Sequence, residues 1–157
     1  MFTVVIPLYN KELSIKNTIQ SILNQNYEII VVNDGSTDGS AKIVKSIGDN
    51  RIRLIQQKNQ GVSAARNRGI QEASNEWIAF LDGDDLWEKE HLQEITTMMQ
   101  KFPEEKIFVT SFEYSDKRPM FRHQRNERIF KIDNYFKEAI KERLIWTSIV
   151  VIHKNCF

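Results

Sequence analysis

Asp82-Gly83-Asp84-Asp85 places three carboxylates within four positions, directly after the apolar run Trp77-Ile78-Ala79-Phe80-Leu81. A run that stops so abruptly reads as a buried strand whose end meets solvent, so the carboxylates sit at a strand tip. Held close together they repel one another, and the arrangement is costly unless a cation or an array of hydrogen-bond donors compensates. Hard oxygen ligands at i and i+2 suit Mg2+ or Mn2+, which take one or two carboxylates and leave their other positions to water and phosphate oxygens. Gly83 lets the backbone turn tightly between them. A plainer use of the same residues is helix capping, with Asp82 or Asp85 accepting from the first turn of the helix that follows.

Such a tip has to be positioned by a sheet, and the chain supplies one. Residues 2–6 are β-branched and apolar, a buried strand that Pro7 is expected to end. Ile15, Ile19, Ile22 and Leu23 form one apolar stripe on a helix over residues 13–24. Residues 28–33 are continuously apolar after Glu28, as a strand covered on both faces should be. Asp34-Gly35-Ser36-Thr37-Asp38-Gly39 is a turn by composition, and Thr37 or Asp38 can cap the helix carrying Ile43, Val44 and Ile47. A third strand over residues 51–56, a polar loop at 58–61 and a helix over 62–73 lead to the Trp77 strand. After the acidic loop, Leu92, Ile95, Met99 and Phe102 again take helical spacing, closed by Pro103. Farther on, residues 106–114 read as a strand, Phe136, Ile140 and Leu144 as one helical face, and residues 145–152 as a final strand. The β-α-β-α-β-α-β-α order predicts an α/β fold: a mostly parallel sheet with helices on both faces, joined by right-handed crossovers.

In an open parallel sheet, ligands bind in the crevice outside the carboxyl ends of the strands. The residues found there are Tyr9-Asn10, Asp34-Gly35-Ser36, Asn59-Gln60-Gly61 and Asp82-Gly83-Asp84-Asp85. Four loops thus collect aromatic, carboxylate and amide chemistry where a nucleotide would lie. Tyr9 is suited to flanking a base, Asp34 to accepting from a base N–H or a ribose hydroxyl, and the acidic loop to holding a metal on a diphosphate. A dinucleotide fold would need Gly-x-Gly-x-x-Gly after the first strand, where this chain has Pro7-Leu8-Tyr9-Asn10-Lys11-Glu12. No Gly-Lys-Ser/Thr of a phosphate-binding P-loop occurs either.

The ordered segments Val5-Ile6-Pro7-Leu8-Tyr9-Asn10, Val31-Val32-Asn33-Asp34-Gly35-Ser36-Thr37-Asp38, Asn59-Gln60-Gly61-Val62-Ser63-Ala64-Ala65-Arg66-Asn67-Arg68-Gly69 and Phe80-Leu81-Asp82-Gly83-Asp84-Asp85 resemble family 2 glycosyltransferases with the Rossmann-like, nucleotide-binding GT-A fold. The resemblance runs continuously over about the first 100 residues. It implies a nucleotide-diphospho-sugar donor, most often UDP-linked, a divalent Mn2+ or Mg2+ on an Asp-x-Asp element, and transfer with inversion to a glycan or lipid-linked acceptor in cell-surface polysaccharide synthesis. By the same resemblance Pro7, Tyr9 and Glu12 correspond to the base-flanking segment, Asp34 to the carboxylate on the base and Gly61 to the donor-binding loop. Arg66 corresponds to the arginine near the donor, Asp82 to the residue touching ribose and metal-bound water, and Asp84 to the direct metal ligand. Singly each has a plainer role: Tyr9 covering the sheet edge, Asp34 making a turn, Arg66 pairing with a structural carboxylate.

The family's general base follows the strand matching residues 146–152 and is expected beyond Phe157; Glu113 or Asp116 is the upstream substitute. The fold is accordingly expected to be incomplete at its C-terminus: one domain over 1–157, with 1–105 as the nucleotide-sugar-binding half and 106–157 as the start of the acceptor-side half. Such a segment is expected to bind donor and metal yet transfer sugar poorly, and to self-associate as a homodimer through an exposed strand edge. Two rival functions share the same features, a non-catalytic nucleotide-sugar-binding module and a Mg2+-dependent nucleotidyltransferase. The latter would carry a glycine-rich loop after the first strand.

At 157 residues with 27% charged and 41% hydrophobic residues, the composition is that of an ordinary globular domain. A net charge of +1 gives no pull toward nucleic acid, and no nucleic-acid partner is expected. The charge is uneven, since residues 117–131 hold six Lys or Arg against one Glu. That basic stretch (Lys117, Arg118, Arg122, Arg125, Arg128, Lys131) reads first as a solvated insertion, and is also compatible with anionic lipid, an acidic acceptor or donor phosphates. Cys156 has no partner for an internal disulfide, and His91, His123 and His153 make no metal spacing. A cytoplasmic location is expected, with peripheral membrane contact compatible with it.

Overall fold

The computed structural model describes residues 1–114, 129, 131–132 and 147–157. Its elements in chain order are β1 (Phe2–Leu8), α1 (Ile15–Ile22), β2 (Glu28–Asp34), α2 (Ser40–Ser46), β3 (Ile52–Gln57), α3 (Val62–Glu72), β4 (Trp77–Phe80), α4 (His91–Lys101), β5 (Ile107–Val109) and β6 (Val150–His153), with a 3-10 turn at Thr147–Ile149 leading into β6. They form one six-stranded sheet in the order β3-β2-β1-β4-β6-β5. The first four strands pair in parallel, and β6 runs antiparallel to both β4 and β5.

Strand alternation sorts the core into two layers. Val4, Ile6, Leu8, Ile29 and Val31 pack with Ile15, Ile19 and Ile22 of α1, Val44 of α2 and Leu92 and Ile95 of α4. Val5, Ile30, Val32, Ile78 and Phe80 pack with Ala65, Ile70 and Ala73 on the opposite face, where α3 lies. Both faces are therefore covered, which is why β1 and β2 carry unbroken apolar runs.

Three expectations are corrected. Pro7 does not end β1: it pairs in register with Val32, and the strand runs to Leu8. The Leu81 N–H donates to the Val5 carbonyl, so by alternation the nitrogen of Pro7 faces the β4 side. There β4 has already left the ladder, its last paired residue being Phe80 opposite Val5, and no hydrogen bond is forfeited. The strand expected over residues 145–152 begins at Val150, after the 3-10 turn, and is an interior strand paired on both sides. Among the described residues the edges of the sheet are β3 and β5, so the strand expected over 145–152 does not itself supply an exposed edge. The strand expected over 106–114 is only Ile107–Val109. The helical face of Phe136, Ile140 and Leu144, the substitute base Asp116 and the basic stretch apart from Lys131 lie outside the described residues. Lys131 pairs with Glu105 at 2.6 Å.

Candidate functional site

Loops after β1, β2, β3 and β4 emerge at the same end of a parallel array, and their hydrogen bonds join them into one rim. Asn10 takes a left-handed turn (φ 50°), a conformation Asn tolerates better than most residues. Its N–H donates to Ser36 Oγ at 3.1 Å, and its Oδ1 accepts from the Thr37 N–H at 2.8 Å. Lys11 N–H donates to Ser40 Oγ (2.8 Å) and Glu12 N–H to Asp38 Oδ2 (3.1 Å). Asp38 Oδ1 also accepts from Ser40 N–H at 3.0 Å, so Asp38 and not Thr37 serves the first turn of α2. Glu12 Oε2 accepts from Gly39 N–H at 2.7 Å; its carboxylate thus holds the second loop. Tyr9 stands at the rim, half exposed.

Asp34 is 3% exposed and joins the second loop to the third. Its Oδ1 accepts from Gln57 Nε2 (2.8 Å) and Gln60 N–H (2.9 Å), its Oδ2 from Gly61 N–H (2.8 Å). Burial works to raise its pKa, yet these three donors together outweigh it and hold the carboxyl below its usual range. A carboxylate has about four acceptor directions, and three are used among the described residues. Gly61 has φ 90° and precedes α3, a backbone geometry that side chains rarely adopt.

The acidic loop closes the rim, and each of its three carboxylates meets a different side chain. Asp82 pairs with Arg66 of α3 at 2.6 Å, Asp84 with Lys11 at 2.5 Å, and Asp85 accepts from the hydroxyl of Ser148. Ser148 Oγ also accepts from the Asp82 N–H (3.0 Å), while its carbonyl accepts from Trp87 Nε1 (2.5 Å). Ser14 Oγ donates to the Gly83 carbonyl at 2.8 Å, clamping the first loop to the fourth. None of these acids caps α4, which starts at His91 after Glu90. The capping alternative is thereby set aside.

The donor set was tested against a divalent cation. Among the described residues no group of three or more His, Cys, Asp or Glu converges on one point, so a cage built from protein alone is lacking. What remains is the chemistry Mg2+ or Mn2+ accepts: one or two carboxylates, the other positions left to phosphate and water. Asp84 already has a cation against Oδ2, and Arg66 keeps a buried Nε–H with no acceptor among the described residues. The residues fit such an ion when a phosphate-bearing ligand accompanies it.

The structure therefore brings Tyr9, Glu12, Asp34, Gly61, Arg66, Asp82 and Asp84 to one end of the sheet, with Pro7 beneath them in β1. Sequence reasoning passed over Lys11, Ser14, Gln57 and Ser148. A lone lysine facing three acids was a usable signal for Lys11; Ser148, some sixty residues away and before an apolar run, offers none.

The model of the family described as "Glycosyl transferase family 2" matches residues 3–157. The chain belongs to this family. It is 36% identical over 124 residues to the glycosyltransferase GlyA of Streptococcus pneumoniae, a match covering 76% of this chain and 18% of GlyA. In fold it is similar to S. aureus TarS 1-349 in complex with UDP-GlcNAc, with TM-score 0.77, 23% identity, and 98% of this chain against 45% of that one. It is also similar to the mannosyltransferase PcManGT from Pyrobaculum calidifontis in complex with GDP-Man and Mn2+, with TM-score 0.64, 24% identity, and 72% against 35%. These likenesses establish a shared GT-A fold. The chain spans less than a third of the length of the curated relatives it matches.

Proposed function

We propose that this family 2 chain binds a nucleotide-diphospho-sugar, UDP-linked, along the rim formed by its first four loops, and serves sugar transfer with inversion to a glycan or lipid-linked acceptor of cell-surface polysaccharide. One observation carries the reading: hydrogen bonds join Asp34 at the end of β2, Arg66 on α3 and the loops bearing Tyr9, Asp82 and Asp84 at one end of the sheet. Similarity to a fold seen with UDP-GlcNAc, and to another seen with GDP-Man and Mn2+, supports it.

In this reading Tyr9 flanks the base and Asp34 accepts from it with its remaining lone pair, while Gln57, Gln60 and Gly61 keep the carboxylate ionised and aimed. Arg66 orients Asp82 toward the ribose and places positive charge near the phosphates. Asp84, with Asp82 beside it, would hold Mn2+ or Mg2+, which supplies neutralisation of the negative charge that develops on the departing diphosphate. The general base on the acceptor side is assigned to none of the described residues. Transfer is proposed to take place at the cytoplasmic side, with peripheral contact to the membrane; no helix among the described residues is long and apolar enough to cross it.

Thermal unfolding with UDP, GDP and dTDP, each with and without Mn2+, tests the reading. UDP at a hundred times its dissociation constant should stabilise the fold by about 2.7 kcal/mol. Tyr9→Ala should weaken UDP, and Asp84→Asn should erase the Mn2+-dependent part of the shift. A metal-dependent shift that survives Asp84→Asn would refute the assignment.

A further inference from the structure

The acids of the fourth loop differ in the side chains they meet. Asp82 meets a guanidinium on a packed helix and Asp85 meets a buried serine, whereas Asp84 meets the end of a long, half-exposed side chain. Lys11 is fixed at its backbone, and its tip is held by Asp84 alone among the described residues. Its N–H is held by Ser40 Oγ, and its carbonyl accepts from the Ser14 and Ile15 N–H groups at 3.1 and 2.9 Å. The stem then passes over Gly83, Cγ lying 3.5 Å from where a side chain on that glycine would begin, and delivers Nζ to Asp84 Oδ2. Side-chain exposure is 39% for Lys11 and 49% for Asp84, so the ammonium can depart into water with no backbone movement.

We propose that Lys11 is the resident counter-ion of Asp84, a built-in competitor that a divalent cation must displace, and hence the residue that sets metal affinity at this site. The inference rests on the reading of Asp84 as a metal ligand. An ammonium and a divalent ion compete for the same carboxylate oxygen and repel each other at contact distance. While no metal is present Lys11 also offsets part of the charge of Asp84. The penalty on the metal is modest, because exposed ion pairs are worth only about 0.2–1 kcal/mol.

Binding of Mn2+ to the chain in the presence of UDP, followed by loss of the free-ion electron paramagnetic resonance signal, separates the two claims. Lys11→Gln should tighten Mn2+ by roughly 1.4- to fivefold, Lys11→Arg should stay near the parent value, and Asp84→Asn should lose the site. If Asp84→Asn binds Mn2+ as the parent does, the metal assignment itself falls. If Asp84→Asn loses the site while Lys11→Gln binds Mn2+ equally or more weakly, the competitor role is overturned and the metal assignment stands. Melting without metal serves as the folding control, since substitution at so exposed a tip should leave it nearly unchanged.

Discussion

On one face of the sheet α1, α2 and α4 lay Ile15, Ile19, Ile22, Val44, Leu92 and Ile95 against Val4, Ile6, Ile29 and Val31; on the other, α3 comes down on Val5, Ile30 and Val32 with Ala65, Gly69, Ile70 and Ala73. Bulky branched residues line the contact of α1, α2 and α4 with the sheet. Small residues draw α3 in: a Cβ on Gly69 would lie 2.3 Å from Val5 Cγ1, closer than atoms approach. The two faces accordingly do different work. The three-helix face holds the larger set of buried apolar residues, whereas α3 follows directly from Gly61 and carries Arg66, so the depth at which it sits decides where Arg66 meets Asp82.

The largest expected effect tests the first half of that contrast. Ile19 is fully buried, and Ile19→Ala should lower stability by about 2–5 kcal/mol in urea unfolding. UDP affinity of the folded fraction should not change. A matching loss of affinity would mean that the three-helix face also sets the site.

Acid should find the same face. His91 on α4 stacks on Trp87 with ring centroids 4.2 Å apart, its Nδ1 lies 3.1 Å from Thr110 Oγ1, and burial holds its pKa down to about 4 from 6.5. The unfolded chain takes this proton near pH 6.5 and the folded chain only near 4, so between those values the unfolded state binds more protons and stability falls as pH drops. The full loss is about 3 kcal/mol. Asp34, with its pKa lowered from 3.8, adds its own loss only at lower pH. His91→Phe should flatten the pH 6.5–4 slope; an unchanged slope would move the acid sensitivity off this face.

Gly69→Ala probes the other side. Overpacking should cost about 1–3 kcal/mol, and because α3 is pushed outward UDP should weaken as well. Val5→Ala, by removing the methyls in the way, should restore both in the double variant. Lost stability with unaltered affinity would break the link between helix depth and site.

These contrasts were only partly legible beforehand. The unbroken apolar runs of β1 and β2, and the polar turns that follow strands, announce themselves locally, so the α/β order and the loops bearing Tyr9, Asp34 and Asp84 could be read from residue types. Pro7 was misread because a proline is harmless where the neighbouring strand has already ended, a fact about β4 and not about Pro7. Gly69 looks like a weak point in a helix until Val5 is seen beneath it. Asp34 and Glu12 read as ligand contacts, whereas their bonds to Gly61 and Gly39 first make them clamps between loops. Partners distant in sequence leave no periodic trace.

Ser148 is the sharpest case of that kind, because it stands where the two faces meet. Arg66 holds the acidic loop from the α3 side and Trp87 anchors it in the three-helix core; Ser148 bonds to Asp82, Asp85 and Trp87 together. Ser148→Ala removes the hydroxyl and strands the Asp82 N–H, at a cost of about 1–3 kcal/mol, while the backbone bond to Trp87 persists. The decisive quantity is the Mn2+-dependent part of UDP stabilisation. If Ser148 positions the loop, that part should shrink beyond what Asp85→Asn alone produces, since Asp85→Asn leaves the bond from Asp82 N–H intact. If stability drops while the Mn2+-dependent part holds, Arg66 and Lys11 suffice to place the carboxylates, and the loop takes its geometry from the α3 face and the first loop alone.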